Sequence, residues 1–103
     1  MASVERFFPP DHAAAQGHFP GNPIIPGAVL LSETLRAIEA SLALSLSPGQ
    51  VASAKFLHPA RPGDRVTIEF SRATSGTVKF ACSVGPLTVL TGVVTCEALS
   101  TPD

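Results

Sequence analysis

The strongest periodicity in the sequence is helical and begins at Gly27. Apolar residues recur there at spacings of four, three and four, the repeat of one helix face: Leu31, Leu35, Ile38 and Leu42. Pro26 suits a first helical turn, where its missing N–H would have no intrahelical acceptor. Pro48-Gly49 is expected to end the helix after about five turns. Further apolar residues on its other sides predict a helix that is buried on several sides, as one wrapped by a sheet would be.

The segments around this helix follow a period of two. Before it, residues 3–8 predict a short strand that Pro9 and Pro10 end. After it, alternating apolar and polar residues predict four strands, at 51–57, 65–71, 78–84 and 87–97. A short strand, a long helix and four antiparallel strands predict an α+β fold, with one central helix against an antiparallel sheet of about five strands.

The last two predicted strands form a hairpin around Gly85-Pro86. A two-residue loop at this point predicts a register in which residue 84 pairs with 87, 82 with 89, 80 with 91 and 78 with 93. That register places the apolar residues of both strands on one face, so it is self-consistent.

Composition narrows the classes of protein. The 103 residues correspond to a single domain, 1–103, and they are 45% hydrophobic but only 15% charged. No apolar run approaches the ~18 residues of a membrane-spanning helix, so we expect the apolar excess to form an interface in a dimer or a higher even oligomer. A net charge of −1 provides no field that attracts nucleic acid or membranes.

The two cysteines, Cys82 and Cys96, lie in strand-like sequence without the spacing of a metal site, and we expect them to be reduced and buried. No set of histidine, cysteine and acidic residues has metal-ligand spacing. The first residues lack a charged-then-apolar signal pattern, so we expect a cytoplasmic location.

Candidate chemistry is concentrated in the segment 17–27, GHFPGNPIIPG, which leads into the helix. His18 lies there in a loop stiffened by proline and glycine, and a neutral histidine can act as a base near pH 7. Gly27 stands where the helix begins, and an N–H at a helix start lacks an intrahelical partner and can stabilise a developing oxyanion.

This segment resembles the hotdog-fold β-hydroxyacyl-acyl-carrier-protein dehydratases. A second segment, 55–64 (KFLHPARPGD), resembles the strand and turn that follow the helix in that family. The similarity spans about residues 6–97, and the chain more closely resembles the compact dehydratase-like proteins of aryl-polyene and related pathways. The resemblance implies dehydration of 3-hydroxyacyl thioesters borne by acyl carrier protein or CoA, with no cofactor beyond the phosphopantetheine that carries the substrate.

The resemblance also implies residue roles. His18 would transfer the proton and the Gly27 N–H would receive the thioester oxygen, while the motif residues around them would contact substrate: Phe19, Pro20, Gly21 and Pro26. The family places an acidic residue fourteen positions after the histidine, across the dimer interface. Ser32 occupies that position here, and Glu33 follows it.

Counted from Leu31 on an ideal helix, Ser32 lies at the edge of the apolar stripe and Glu33 almost opposite it. Three alternatives remain open. A shifted helix start could bring Glu33 into the site, or Ser32 could hold a water or the substrate hydroxyl. The third alternative is that the site binds acyl groups without dehydrating them, as half of a heterodimer. Because Ser32 occupies the family's acidic position, thioester hydrolysis on the same fold is the second enzymatic hypothesis.

The remaining histidines and cations have simpler interpretations. His12 is expected to be solvated, and His58 to cap or line a turn. Lys55, Arg61 and Arg65 could meet an acidic carrier protein or a phosphate, although scattered cations are usually solvated surface.

Overall fold

The computed structural model describes residues 2–9, 24–43, 51–73 and 76–95. In these ranges the chain forms five strands and one helix in the predicted order. The elements are β1 (Ala2–Phe7), α1 (Gly27–Leu42), β2 (Val51–Phe56), β3 (Arg65–Arg72), β4 (Thr77–Val84) and β5 (Leu87–Thr95). The α+β prediction is confirmed, and the arrangement is the hotdog fold.

The sheet has the strand order β1-β3-β4-β5-β2, and each neighbouring pair is antiparallel. The strands that flank α1 in the chain, β1 and β2, therefore lie at opposite edges of the sheet. The helix that lies between them in the chain, α1, packs against β1 and β3.

Alternation along the central strands creates the core. The inward residues of β3 and β4 are almost fully buried, and they are joined by β5 residues and one face of α1: Val66, Ile68, Phe70, Val78, Phe80, Cys82, Val89, Leu90, Val94, Leu30, Leu35, Ala37 and Ile38. Burying each large apolar side chain stabilises the fold by roughly 1.5–3 kcal/mol relative to leaving it exposed. The hairpin and the helix are thus held by one continuous apolar layer.

The predicted register of the β4–β5 hairpin is correct only next to the turn. Val84 pairs with Leu87, but a register shift between Cys82 and Ser83 then places Cys82 opposite Leu90 rather than Val89. A bulge of this kind inserts one extra residue into one strand. It allows the consecutive residues Val89 and Leu90 both to be buried, which a strictly alternating strand could not do.

The helix is shorter than the sequence predicted and buried on fewer sides. It ends at Leu42, because Ala43 adopts a left-handed conformation (φ 57°, ψ 42°) and its N–H bonds to the Glu39 carbonyl. Sixteen residues make about four and a half turns. Its buried residues occupy one face, and exposed ones such as Ala28 and Arg36 lie elsewhere, so the part of the chain that the structure describes does not enclose the helix.

Candidate active site at the start of the helix

A cavity of about 350 Å³ lies where α1 begins. Its lining comes from the two segments that carried the family resemblance, and it is almost entirely apolar: Ile24, Ile25, Gly27, Leu30, Phe56, Leu57, His58, Pro59 and Ala60. A cavity of this size, largely apolar with a few polar groups, is typical of a small-molecule site. It could hold an acyl chain with the polar end near the helix start.

Backbone hydrogen bonds join the two segments. The Ile25 N–H donates to the Ala60 carbonyl at 2.7 Å, in an isolated antiparallel bridge between the chain before the helix and the chain after β2. Both residues are almost fully buried. This bridge sets the distance between the helix start and the turn, and it closes one side of the cavity.

The turn after Ala60 is itself fixed by local bonds. The Arg61 N–H donates to Asp64 Oδ2 at 2.7 Å, and the Asp64 N–H donates to the Arg61 carbonyl at 3.0 Å. Gly63 takes a positive φ of 94°, which a glycine adopts without steric cost. The Phe8 N–H donates to the Asp64 carbonyl, tying the turn to the end of β1.

Gly27 lines the cavity as the first residue of α1. Pro26 precedes it and makes no side-chain cap, while its carbonyl accepts hydrogen bonds from the Val29 and Leu30 N–H groups. The Gly27 N–H therefore belongs to the helix-start donors that have no intrahelical acceptor. The positive end of the helix dipole favours a partial negative charge at this position.

The Phe56 ring packs directly against Gly27. A Cβ atom added at Gly27 would lie 3.1 Å from Cε1 of this ring and 3.2 Å from Cζ. Half of the Phe56 side chain is nevertheless exposed. The absence of a side chain at Gly27 thus leaves room for the ring beside the helix start.

His58 is a cavity residue that the sequence interpretation assigned only to the turn. Its Nδ1 lies 3.1 Å from the Thr88 carbonyl of β5. The sequence did contain a signal, since Phe56 and His58 are two positions apart and extended chain places such residues on the same side. That signal is weak without knowledge that Phe56 contacts the helix start.

The structure brings together only part of the predicted set of site residues. Gly27 lines the cavity and Pro26 immediately precedes the helix. Ser32 and Glu33 are both half-buried, and neither lines this cavity in its own protomer. Four further predicted residues lie outside the described ranges: His18, Phe19, Pro20 and Gly21.

The expected orientation of Ser32 and Glu33 is wrong, because the buried face of α1 is rotated relative to the stripe counted from Leu31. The buried residues are Leu30, Thr34, Leu35, Ala37 and Ile38. On an ideal helix Ser32 lies about 160° from the centre of that face and Glu33 about 100°. Glu33 is therefore the closer of the two to the sheet side of the helix.

Beneath the helix, a buried polar contact joins α1 to β4. Thr34 Oγ1 donates to the Leu30 carbonyl at 2.8 Å and lies 3.3 Å from the Cys82 sulfur. Burial raises the pKa of the Cys82 thiol to about 11, so it is protonated at neutral pH and is a poor nucleophile. Cys82 is free and buried, as expected, whereas Cys96 lies outside the described ranges.

The cations around the turn are exposed, as predicted for solvated surface. Arg65 lies 3.6 Å from Glu5 and 5.5 Å above the centre of the Phe7 ring, which fixes it along the β1 edge. Lys55 and Arg61 are exposed as well. Within the described ranges no cluster of three histidine, cysteine or acidic residues could hold a metal. The helix described here is too short and too polar to cross a membrane.

Comparison with known proteins identifies the family to which this chain is similar. The family model described as ApeI-like, ApeI dehydratase, matches residues 1–93. The 3-hydroxyacyl-[acyl-carrier-protein] dehydratase FabZ of Levilactobacillus brevis is 39% identical over 82 residues, which are 68% of this chain and 55% of the relative. The chain spans little more than half the length of the curated relatives it matches.

Solved structures share the fold at lower identity. The dehydratase heterocomplex ApeI:P from Xenorhabdus doucetiae matches with a TM-score of 0.74 at 19% identity, over 91% of this chain and 85% of that one. A mutant of the fluoroacetyl-CoA-specific thioesterase FlK matches with a TM-score of 0.65 at 14% identity, over the same shares of each chain. The fold is thus common to dehydratases and thioesterases, and it is the family match over residues 1–93 that assigns this chain to the ApeI-like dehydratase family.

Proposed function

We propose that this protein dehydrates 3-hydroxyacyl thioesters carried on acyl carrier protein, or on CoA, to 2-enoyl thioesters. The observation that carries the proposal is the apolar cavity of about 350 Å³ that Gly27 lines at the start of α1. It supports the proposal because an acyl chain fits the apolar lining while the thioester oxygen meets a helix-start donor. The family and the FabZ relative name the same class of reaction.

Each proposed role follows from the chemistry of elimination. The base, His18, removes a proton from the carbon next to the thioester carbonyl. The electron pair moves toward the carbonyl oxygen, which the Gly27 N–H stabilises. It then forms the C2–C3 double bond as the C3–O bond breaks, and the hydroxyl receives a proton and leaves as water. No cofactor takes part in the proposed reaction, and phosphopantetheine enters only as part of the substrate. The free thiol of Cys82 fits the proposed cytoplasmic location, where thiols are kept reduced.

We propose a homodimer as the working assembly, joined at the β2 edge of the sheet. Five of the six β2 residues are exposed in the single chain, and β2 pairs with β5 on one side only. An exposed edge strand presents unpaired N–H and C=O groups that a second chain can bind. The opposite edge is less available, since inward-facing Arg6 and the Glu5–Arg65 pair lie along β1. The family's shared site would then place Ser32 or Glu33 of one protomer near the cavity of the other.

The test is an assay of a 3-hydroxyacyl thioester on acyl carrier protein with the unsubstituted protein, His18→Ala and His12→Ala. We expect loss of one water per thioester, measured by mass spectrometry, and a drop of at least about 100-fold for His18→Ala. His12→Ala is the control and should keep the original rate. Full activity in His18→Ala would contradict the proposed mechanism.

Thioester hydrolysis is the second candidate, because the family's acidic position holds Ser32. The same assay separates the two reactions when free thiol is measured in parallel. Thiol release without an enoyl product would select hydrolysis, and binding of acyl-pantetheine without either product would select a silent partner of a heterodimer.

A further inference from the structure

Among the described residues that line the cavity, His58 is the one with a titratable side chain. The other lining positions are glycine, proline or apolar residues. His58 is exposed, so it lies at the open side of the cavity and can exchange protons with water. Any proton transfer by a side chain from this part of the lining therefore involves His58.

A backbone carbonyl lies beside one nitrogen of the His58 ring. Its Nδ1 lies 3.1 Å from the Thr88 carbonyl. Because a carbonyl oxygen only accepts hydrogen bonds, Nδ1 carries the hydrogen, and Nε2 is the nitrogen left for a ligand. The backbone at this point is also fixed, since the adjacent Leu57 N–H donates to the Val89 carbonyl at 2.9 Å.

The proposed dehydration needs a proton donor as well as a base. Hydroxide is a poor leaving group, so the C3 oxygen must receive a proton as its bond to carbon breaks. A serine hydroxyl such as that of Ser32 is not acidic enough to supply it, and Glu33 does not line the cavity of its own protomer. Within the described lining of one protomer, His58 is the side chain that can supply this proton, whereas a donor from the partner protomer would leave water loss unchanged in a His58 variant.

We propose that His58 is the acid of the site, a role that rests on the proposed dehydration. Protonated His58 donates the Nε2 proton to the C3 hydroxyl, which departs as water, while His18 takes the proton from C2. The C2–H electron pair becomes the new C2–C3 double bond, and the C3–O pair leaves with the oxygen. Solvent then returns a proton to His58 and accepts one from His18, so the two histidines are restored.

The test compares two leaving groups on the same acyl chain. A 3-hydroxyacyl thioester needs a proton on its leaving oxygen, whereas a 3-fluoroacyl thioester can release fluoride without one. For His58→Gln, which keeps a hydrogen-bonding side chain but cannot transfer a proton, we expect loss of water to slow about 100-fold. Fluoride release, followed with a fluoride electrode, should stay within about threefold of the original rate.

Two further variants serve as controls. Arg72→Gln changes an exposed cation at the end of β3 that does not line the cavity, and it should leave both eliminations unchanged. His18→Ala should abolish both, since both need the base. A structural role for His58 would slow water and fluoride loss equally.

The outcomes distinguish this inference from the function on which it rests. Equal slowing, or no slowing, of the two eliminations in His58→Gln would overturn the role of His58 and leave the dehydratase proposal intact. Absence of both eliminations in the unsubstituted protein would overturn the dehydratase proposal and the role of His58 with it.

Discussion

At Gly27, a neighbouring aromatic ring occupies the space that a side chain would fill. The N–H of this residue starts α1 at the cavity, and the Phe56 ring lies where a side chain would be, 3.1 Å from an added Cβ. That spacing is close enough that the ring must move if a methyl group is introduced. The ring is half exposed and can move outward, so the strain falls on the mouth of the cavity rather than on the core.

Gly27→Ala is therefore expected to impair catalysis more than folding. We expect kcat/KM for the 3-hydroxyacyl thioester to fall by about 10- to 100-fold, because the displaced ring and the new methyl group shift the substrate relative to the N–H donor. The free energy of unfolding should change by less than about 1 kcal/mol, because the neighbouring ring is flexible. Steady-state kinetics and denaturant titration measure the two effects.

The matched control is Ala28→Ser, the next residue of the helix, which is exposed and does not line the cavity. It should change neither quantity appreciably. If Gly27→Ala kept full kcat/KM, the helix-start N–H and its surroundings would not be the site of the thioester.

At the scale of the strands, Gly92 of β5 fits tightly against both neighbouring strands, β2 and β4. An added Cβ would lie 2.5 Å from Cζ of Phe80 and 2.7 Å from the Ser53 carbonyl oxygen. The Ser53 atom belongs to the backbone beside a register shift in β2, so it cannot yield as a flexible side chain would. Because Gly92 has no side chain, the edge strand β2 can pair closely with β5 despite the register shift in β2.

Gly92→Ala should destabilise the protein by about 2 kcal/mol, since overpacking a core contact forces the backbone to shift. The measurement is the midpoint and slope of unfolding in urea. Gly85→Asn is the matched control, because Gly85 has a φ of +59° in open space and asparagine tolerates that conformation. The control should lose less than about 1 kcal/mol. Equal losses in both variants would contradict the close approach at Gly92.

At the scale of the whole molecule, the exposed β2 edge predicts self-association. Ala54 is exposed and pairs with Gly92 on one side, so its other side faces the region where a second chain would add. A charged side chain on an edge strand hinders the addition of a further strand, and like charges that meet across a two-fold axis destabilise strand pairing.

Ala54→Glu should convert a dimer to a monomer at micromolar concentration, as measured by light scattering coupled to size-exclusion chromatography. Ala73→Glu introduces the same charge at an exposed position after β3, away from this edge, and should remain dimeric. A monomeric unsubstituted protein, or a dimer that persists in Ala54→Glu, would rule out assembly through β2.

Local rules predicted most of the fold. Alternation of apolar and polar residues and the helical repeat after Gly27 identified the strands and the helix of the described ranges in their correct order. They did not predict the bulge beside Cys82 or the helix end at Ala43, because both depend on non-local packing of neighbouring strands or on a single left-handed residue. The face of α1 that is buried was likewise decided by packing, which is why Ser32 and Glu33 were placed incorrectly.

The sequence by itself determined the family and the helix-start glycine, because a proline- and glycine-rich motif running into an apolar helix constrains the chain locally. Only the tertiary structure decided what surrounds that glycine. Residues Phe56 and His58 reach the helix start because β2 lies at the sheet edge next to β5 and the Ile25–Ala60 bridge holds the following turn against it. Such contacts join residues about thirty positions apart, and no local pattern of hydrophobic and polar residues encodes them.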